Sequence, residues 1–374
     1  MSTPSRPKRL PNYAVLTDQA AAHYARSTHE GGYDLLPTEL YWQRRQRYLH
    51  KSGYILRPRY VPKWRPSWID TNLDPTYCED SIMLLEYQVI DATRVSNSEL
   101  VAIKSFLIDE DKQELQISQF FASIEDPMNH CVTVHQILPD PFDSHSAFMV
   151  MPYLRPCNDP DWSTLGDVVD FVGQTMEGLA FMHRYRVAHR DICIPNIMMD
   201  AKALYPDGHH PVRLGYTPDA LYRVSPLPRA GRSIRYSYID FGLSLRFPAG
   251  TSPLAVGVVG RDREVPELSN SVPYDTFKVD IFALGNLYSK EFEQKYKGME
   301  FLLPLIARMT QRSPTDRPTA EQALQQWEGI RQGLAKSTFR WRLSPKSEPP
   351  LERVLNDTVA VAWESIYHIK KFVT

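Results

Sequence analysis

The sequence predicts an α+β fold: strand-like runs gather between Ser81 and Leu154, and helical period dominates the chain that follows. Three stretches carry that expectation. Ser81–Phe106 holds two apolar runs, IMLLEYQVIDATRV and ELVAIKSF, separated by the polar turn Ser96-Asn97-Ser98. Leu165–Arg184, LGDVVDFVGQTMEGLAFMHR, repeats apolar residues three and four apart, as a long amphipathic helix does. Finally, Val187–Asp200, VAHRDICIPNIMMD, and Tyr238–Ser244, YIDFGLS, set carboxylates and an amide in short loops flanked by apolar, strand-like residues.

Taken in order, the chain opens with MSTPSRPKRLPNY, which has no apolar core for a secretory leader. Glu39–Gly53 reads as a helix with an aromatic and leucine stripe and a basic face, stopped at Gly53. The segment YILRPRYVPKWRPSWID is extended, with three prolines among large aromatics. In it Trp64 and Trp68 read as packing anchors, not a ligand box. Asp109–Ser123 carries a helical stripe at Leu115, Ile117, Phe120 and Phe121. Cys131–Leu138, Ser146–Leu154 and Ile197–Met199 read as further strands. Ala201–Arg235 is punctuated by Pro and Gly and partly basic; it reads as an insertion, either a surface excursion or a partner surface. The tail beyond Lys336 holds RWRL, a proline-rich linker and VAVAWESIYHIKKF, a run that as a helix would cover a hydrophobic groove.

Composition narrows the function classes. A chain of 374 residues, 43% hydrophobic and 11% aromatic, supports a sizeable core. A net charge of −1 supplies no long-range field for nucleic acid or an anionic membrane. No apolar run is long enough to span a bilayer. Cys78, Cys131, Cys157 and Cys193 form no CxxC pair, which argues against zinc and against a disulfide framework. A reducing intracellular setting, cytoplasmic or nuclear, is expected.

A His-Arg-Asp triplet with Asn five residues after the Asp, then Asp-Phe-Gly, with Val-Ala-Ile-Lys ahead of both, resembles the eukaryotic protein-kinase superfamily. The resemblance implies a two-lobed protein-kinase-like fold, with a small antiparallel-sheet N-lobe carrying one main helix and a mostly helical C-lobe. It implies ATP and Mg2+ as cofactors. In those roles Asp191 orients the attacking hydroxyl, Asn196 and Asp240 bind magnesium, and Lys104 holds the α- and β-phosphates. Glu114 is the chosen brace for Lys104, with Glu110 and Glu125 as rivals because the register is loose. The adenine would lie between Val89 and Ala102 on one side and Met198 on the other. Met151 would sit behind it, and the backbone of Pro152, Tyr153 and Leu154 would face it. His189, Arg190, Phe241 and Gly242 complete the two loop motifs. Leu243–Glu264 resembles an activation segment, with Ser244, Thr251 and Ser252 phosphorylatable. Val265-Pro266-Glu267 stands for its Ala-Pro-Glu ending. VDIFALG resembles the central helix, with Asp280 tying down the catalytic loop, and TQRSPTDRPTAEQAL the last helical motif, with Arg317 pairing Glu267. Within the superfamily, YWQRRQRYL…LRPRY, DATR, the insertion and RWRL resemble the fungal protein-kinase-like proteins.

The pattern also breaks. No glycine occurs between Tyr54 and Leu165, so the Gly-rich phosphate loop is missing; Ile82, Leu84 and Tyr87 fall where its glycines would stand. Cys193 occupies the place of the catalytic-loop lysine. The Gly-Thr pair before the Pro-Glu motif is absent, Gly260 being followed by Arg261 and Asp262. Arg261 or Arg263 is the candidate replacement for the lost charge.

The expected organisation is therefore an N-terminal extension over residues 1–75, packed on or near an N-lobe at 76–154. A C-lobe follows at 155–332 with an insertion near 201–235, then a C-terminal extension at 333–374. The basic early helix is read as an arm packed on the N-lobe, with a docking element as the alternative. The expected function is ATP/Mg-dependent phosphorylation of Ser/Thr hydroxyls by a monomeric enzyme acting on a protein substrate or binding partner. The alternatives are a pseudokinase binding or scaffold module, and a small-molecule phosphotransferase; the Pro-Glu segment with its distant Arg argues against the latter.

Overall fold

The computed structural model describes residues 10–84, 86–353 and 356. They fall into two compact units. The first comprises residues up to Lys112 with Thr133–Leu154 and Ala201–Leu227. The second comprises Gln113–Val132, Arg155–Asp200 and the chain from Pro228 onward.

In the first unit, Thr17 Oγ1 caps helix α1 (Asp18–His29) by accepting from the Ala20 amide. Helix α2 (Pro37–Lys51) starts on a proline, and Glu39 reaches back to the Leu36 amide at 3.0 Å. Then comes a five-stranded antiparallel sheet of order β1-β2-β3-β5-β4, made of β1 (Tyr54–Leu56), β2 (Val89–Arg94), β3 (Leu100–Leu107), β4 (Gln136–Pro139) and β5 (Ser146–Pro152). Alternation divides its two faces. Ile90, Ala92, Val101, Ile103, Phe148 and Val150 are buried against Trp42 and Leu49 of α2, with Tyr54, Leu56 and Tyr60 in the same core. Cross-strand pairing puts Val89 opposite Lys104 and Ala102 opposite Met151 on the other, half-buried face.

Three expectations change here. The first strand of the sheet comes from Tyr54–Leu56, which pairs with Arg94–Ala92. The described residues of the run expected as strand from Ile82 lie outside the sheet up to Gln88: β2 begins at Val89 opposite Lys104, although β3 runs on to Leu107 and the Ser105 amide donates to the Gln88 carbonyl at 2.8 Å. Ile82, Leu84 and Tyr87 therefore stand in no hairpin, and the Tyr87 carbonyl instead accepts from Trp42 Nε1 at 2.9 Å. Cys131–Leu138 is likewise strand only from Gln136; Cys131 makes an isolated bridge to Tyr238.

The second unit takes most of helix α3 (Lys112–Ala122). A three-stranded antiparallel sheet follows from β6 (Arg155–Pro156), β8 (Ile197–Met199) and β9 (Tyr236–Tyr238). Helix α4 (Leu165–Arg184) covers the predicted span, because Thr164 and Asp167 form a reciprocal cap at its start. The short strand β7 (Val187–Ala188) pairs with β10 (Leu245–Arg246). Helices α5 (Thr276–Tyr288), α6 (Leu303–Met309) and α7 (Ala320–Gly333) complete the unit, with α4 packed on α5 and α7. No helix among the described residues is long and apolar enough to cross a membrane. Cys78, Cys131 and Cys157 are buried free thiols and Cys193 is half-buried. The run VAVAWESIYHIKKF lies outside the described residues.

Candidate active site

The loop after β7 is held from below by one carboxylate. Asp280, fully buried on α5, accepts the His189 amide at 2.8 Å and the Arg190 amide at 2.7 Å, and His183 Nε2 lies 3.0 Å away. Charge-assisted bonds of this kind hold the loop while Arg190 adopts φ +66°, a strained conformation for a residue with a Cβ. The Arg190 side chain then reaches the Leu243 and Val256 carbonyls and Tyr274 Oη, each at 3.3 Å.

That geometry presents Asp191. Asn196 Nδ2 donates to both its carbonyl and its carboxylate Oδ2, at 2.9 Å each. The Arg261 amide donates to Oδ1 at 2.6 Å. The carboxylate is thus fixed from two sides, and each oxygen keeps a lone pair for another donor. Gly260 makes the approach possible: it sits at φ +83°, and a Cβ there would come within 2.5 Å of the Arg190 carbonyl.

His189 Nε2 contacts the Ile239 carbonyl at 3.1 Å, tying this loop to Asp-Phe-Gly. The Phe241 ring packs between His189 at 5.3 Å and Phe121 of α3 at 5.6 Å. Asp240 takes the left-handed conformation, φ 63° and ψ 72°, before the turn Phe241–Leu243. A Cβ built on Gly242 would stand 3.5 Å from both Asp240 Oδ1 and Glu114 Oε2, so those two carboxylates flank that glycine. Glu114 is buried in the first turn of α3. Met198, half-buried on β8, pairs with Ser237 and Pro156.

Further along, Arg317 grips Glu267 with two bonds, of 2.5 and 2.8 Å, and also donates to the Gln311 and Lys278 carbonyls. Burial pushes the Cys193 thiol up to about 11, so it carries no charge at neutral pH. Arg261 is 58% exposed at its side chain, with Nε 3.9 Å from Asp191 Oδ2. Arg263 instead donates to the Val258 carbonyl at 2.6 Å.

The first unit holds the other predicted positions: Lys104, Val89, Ala102 and Met151 share one sheet face, with Tyr153 and Leu154 beyond the end of β5. A charged cluster missed by sequence reasoning lies on that face. Asp91, paired opposite Ala102, is buried and held by Arg57 Nε at 3.0 Å. Burial pushes its carboxyl up and the Arg57 charge pulls it back. Arg57 also donates to the Ile82 carbonyl, and Glu79 lies 3.4 Å from Arg57 and 3.6 Å from His210. His210 brings in the insertion, whose Pro211 carbonyl accepts from Tyr153 Oη at 2.6 Å. An acid in the middle of the run VIDATR was the available signal, since a strand interior disfavours it unless paired.

Among the described residues no three His, Cys, Asp or Glu side chains gather as a metal site. Asn196 and Asp240 nevertheless suit magnesium, which keeps waters and phosphate oxygens and takes only one or two protein ligands. With its Nδ2 engaged by Asp191, Asn196 has its side-chain oxygen as the remaining acceptor.

The protein kinase domain family matches residues 87–296. Two relatives illustrate the similarity. NUAK family SNF1-like kinase 2 of Homo sapiens is 23% identical over 227 residues, covering 54% of this chain and 28% of the relative. Serine/threonine-protein kinase ppk8 of Schizosaccharomyces pombe is 28% identical over 119 residues, covering 31% and 17% respectively. The matched part of this chain thus spans under a third of the length of either relative.

Proposed function

We propose that this chain, which belongs to the protein kinase family, transfers the terminal phosphate of ATP to Ser or Thr hydroxyls of a protein. The observation that carries the reading is the Asp191 carboxylate, clamped by the Asn196 side chain and the Arg261 amide and still able to accept a proton. Bound magnesium and ATP supply the phosphoryl donor and neutralise its oxygens. Asn196 and Asp240 would hold the metal, and Lys104 the α- and β-phosphates. Glu114 would brace Lys104, while Val89, Ala102, Met151 and Met198 would enclose the base. Asp191 orients the acceptor hydroxyl and takes its proton on a carboxylate oxygen.

Arg261 supplies the positive charge that Cys193 lacks. Its amide is already on Asp191 and its guanidinium is exposed beside it, whereas Arg263 is spent on a carbonyl. The test is transfer of labelled phosphate from ATP to a general protein acceptor such as casein. Arg261→Ala should lower the rate about a hundredfold, the usual loss for one charge-stabilising group, and Arg263→Ala by no more than about threefold. Equal effects of the two changes would remove Arg261 from this role.

A second reading is supported by the lack of any glycine between Tyr54 and Leu165, which leaves no glycine amides there to cradle phosphates. On that reading the chain is a pseudokinase module that binds a protein partner. Absence of labelled product from the wild-type chain would favour it.

A further inference from the structure

Helix α2 has two faces. Trp42, Arg45 and Leu49 form the buried one. Arg44, Arg47, Tyr48 and Lys51 recur at three and four on the outer side, and with Pro62, Pro141 and Phe142 they line a groove of about 490 Å3. Arg44, Arg47 and Lys51 are exposed, and none has an ion-pair partner among the described residues. The carboxylates flanking Phe142 in sequence are engaged elsewhere. Asp140 is buried on Arg45 at 2.6 Å, and Asp143 turns to Ser146 Oγ and the His145 amide. Between the cations the floor is aromatic: Phe142 is 66% exposed, with the Arg45 guanidinium 5.5 Å over its ring, and Tyr48 is half-buried.

An exposed ring beside three cations that lack an ion-pair partner among the described residues has the features of a recognition patch and not of an ordinary solvated surface. We propose that this groove docks an acidic protein segment bearing an aromatic or aliphatic anchor. Acidic side chains meet Arg44 and Arg47, whose planar forks match carboxylates, and Lys51 as a point charge. The anchor lies on Phe142 and Tyr48. A peptide suits the patch better than a polyanion does. The cations are confined to one helical stripe beside apolar walls, and the chain's net charge of −1 offers no wider field for nucleic acid or lipid. This inference is independent of whether the chain transfers phosphate.

The test is fluorescence anisotropy of a labelled random glutamate–tyrosine copolymer titrated with the full chain. The wild type should bind saturably and more tightly than it binds polyglutamate, which lacks the anchor. The triple variant R44E/R47E/K51E should bind about tenfold more weakly, and Phe142→Ala about threefold, with the melting temperature unchanged. If the triple variant fails to melt cooperatively, Arg47→Ala and Phe142→Ala decide, each expected to weaken binding about threefold. Undiminished binding by those variants, or no binding by the wild type, would overturn the proposal. So would equal affinity for oligothymidylate or phosphatidylserine vesicles.

Discussion

Asp191→Asn should abolish labelled phosphate transfer, with a fall of about a thousandfold or more, while the chain stays folded. The substitution is nearly isosteric. Asn keeps one oxygen for the Arg261 amide, and the Asn196 bond to the backbone carbonyl is untouched. What disappears is the ionised acceptor for the substrate proton, a contribution of about 10²–10⁴ in rate, together with the charge that orients the hydroxyl. Circular dichroism and the melting temperature should match the wild type. A variant that retains more than about a tenth of the activity would show that Asp191 is not the group at work.

The second large effect concerns stability. Arg317 and Glu267 form a bidentate pair with the arginine buried, and the guanidinium also donates to three backbone carbonyls, those of Gln311, Lys278 and Arg312. Arg317→Ala leaves a largely buried carboxylate with no compensating charge, at a cost of about 3–5 kcal/mol. Replacing both residues, as in Arg317→Met with Glu267→Leu, should recover much of that loss, because no charge is then stranded. Urea denaturation of the three proteins measures the difference. A loss under about 1 kcal/mol for Arg317→Ala would mean that the pair behaves as an exposed one.

The motif-bearing half of the fold was legible because its residues act locally. Helix α4 declares its own start through Thr164 and Asp167, and the Asp191 loop closes on itself through Asn196, five residues on. The first unit was less legible. β1 comes from Tyr54–Leu56, far in sequence from its partner β2, and pairing over such a distance leaves no periodic trace. The residues before Val89 looked like strand because they are apolar, but apolar composition alone does not place a run in a ladder; the Tyr87 carbonyl is taken by Trp42 Nε1 and the Ile82 carbonyl by Arg57. The cluster of Asp91, Arg57, Glu79 and His210 unites four separate segments and could not be assembled from spacing. Arg261 could not be separated from Arg263 in sequence either. Only the fold shows that one faces Asp191 and the other a carbonyl.

The central proposal is that Asn196, Asp240 and Lys104 hold a magnesium–nucleotide complex without a glycine loop. Thermal melting of the chain with ATP, with and without magnesium, tests it most directly. At saturating nucleotide the wild type should gain about 3–5 °C, only when magnesium is present, and Asp240→Ala should abolish the gain. A wild-type melting curve that magnesium and ATP leave unmoved would contradict nucleotide binding, and with it phosphate transfer.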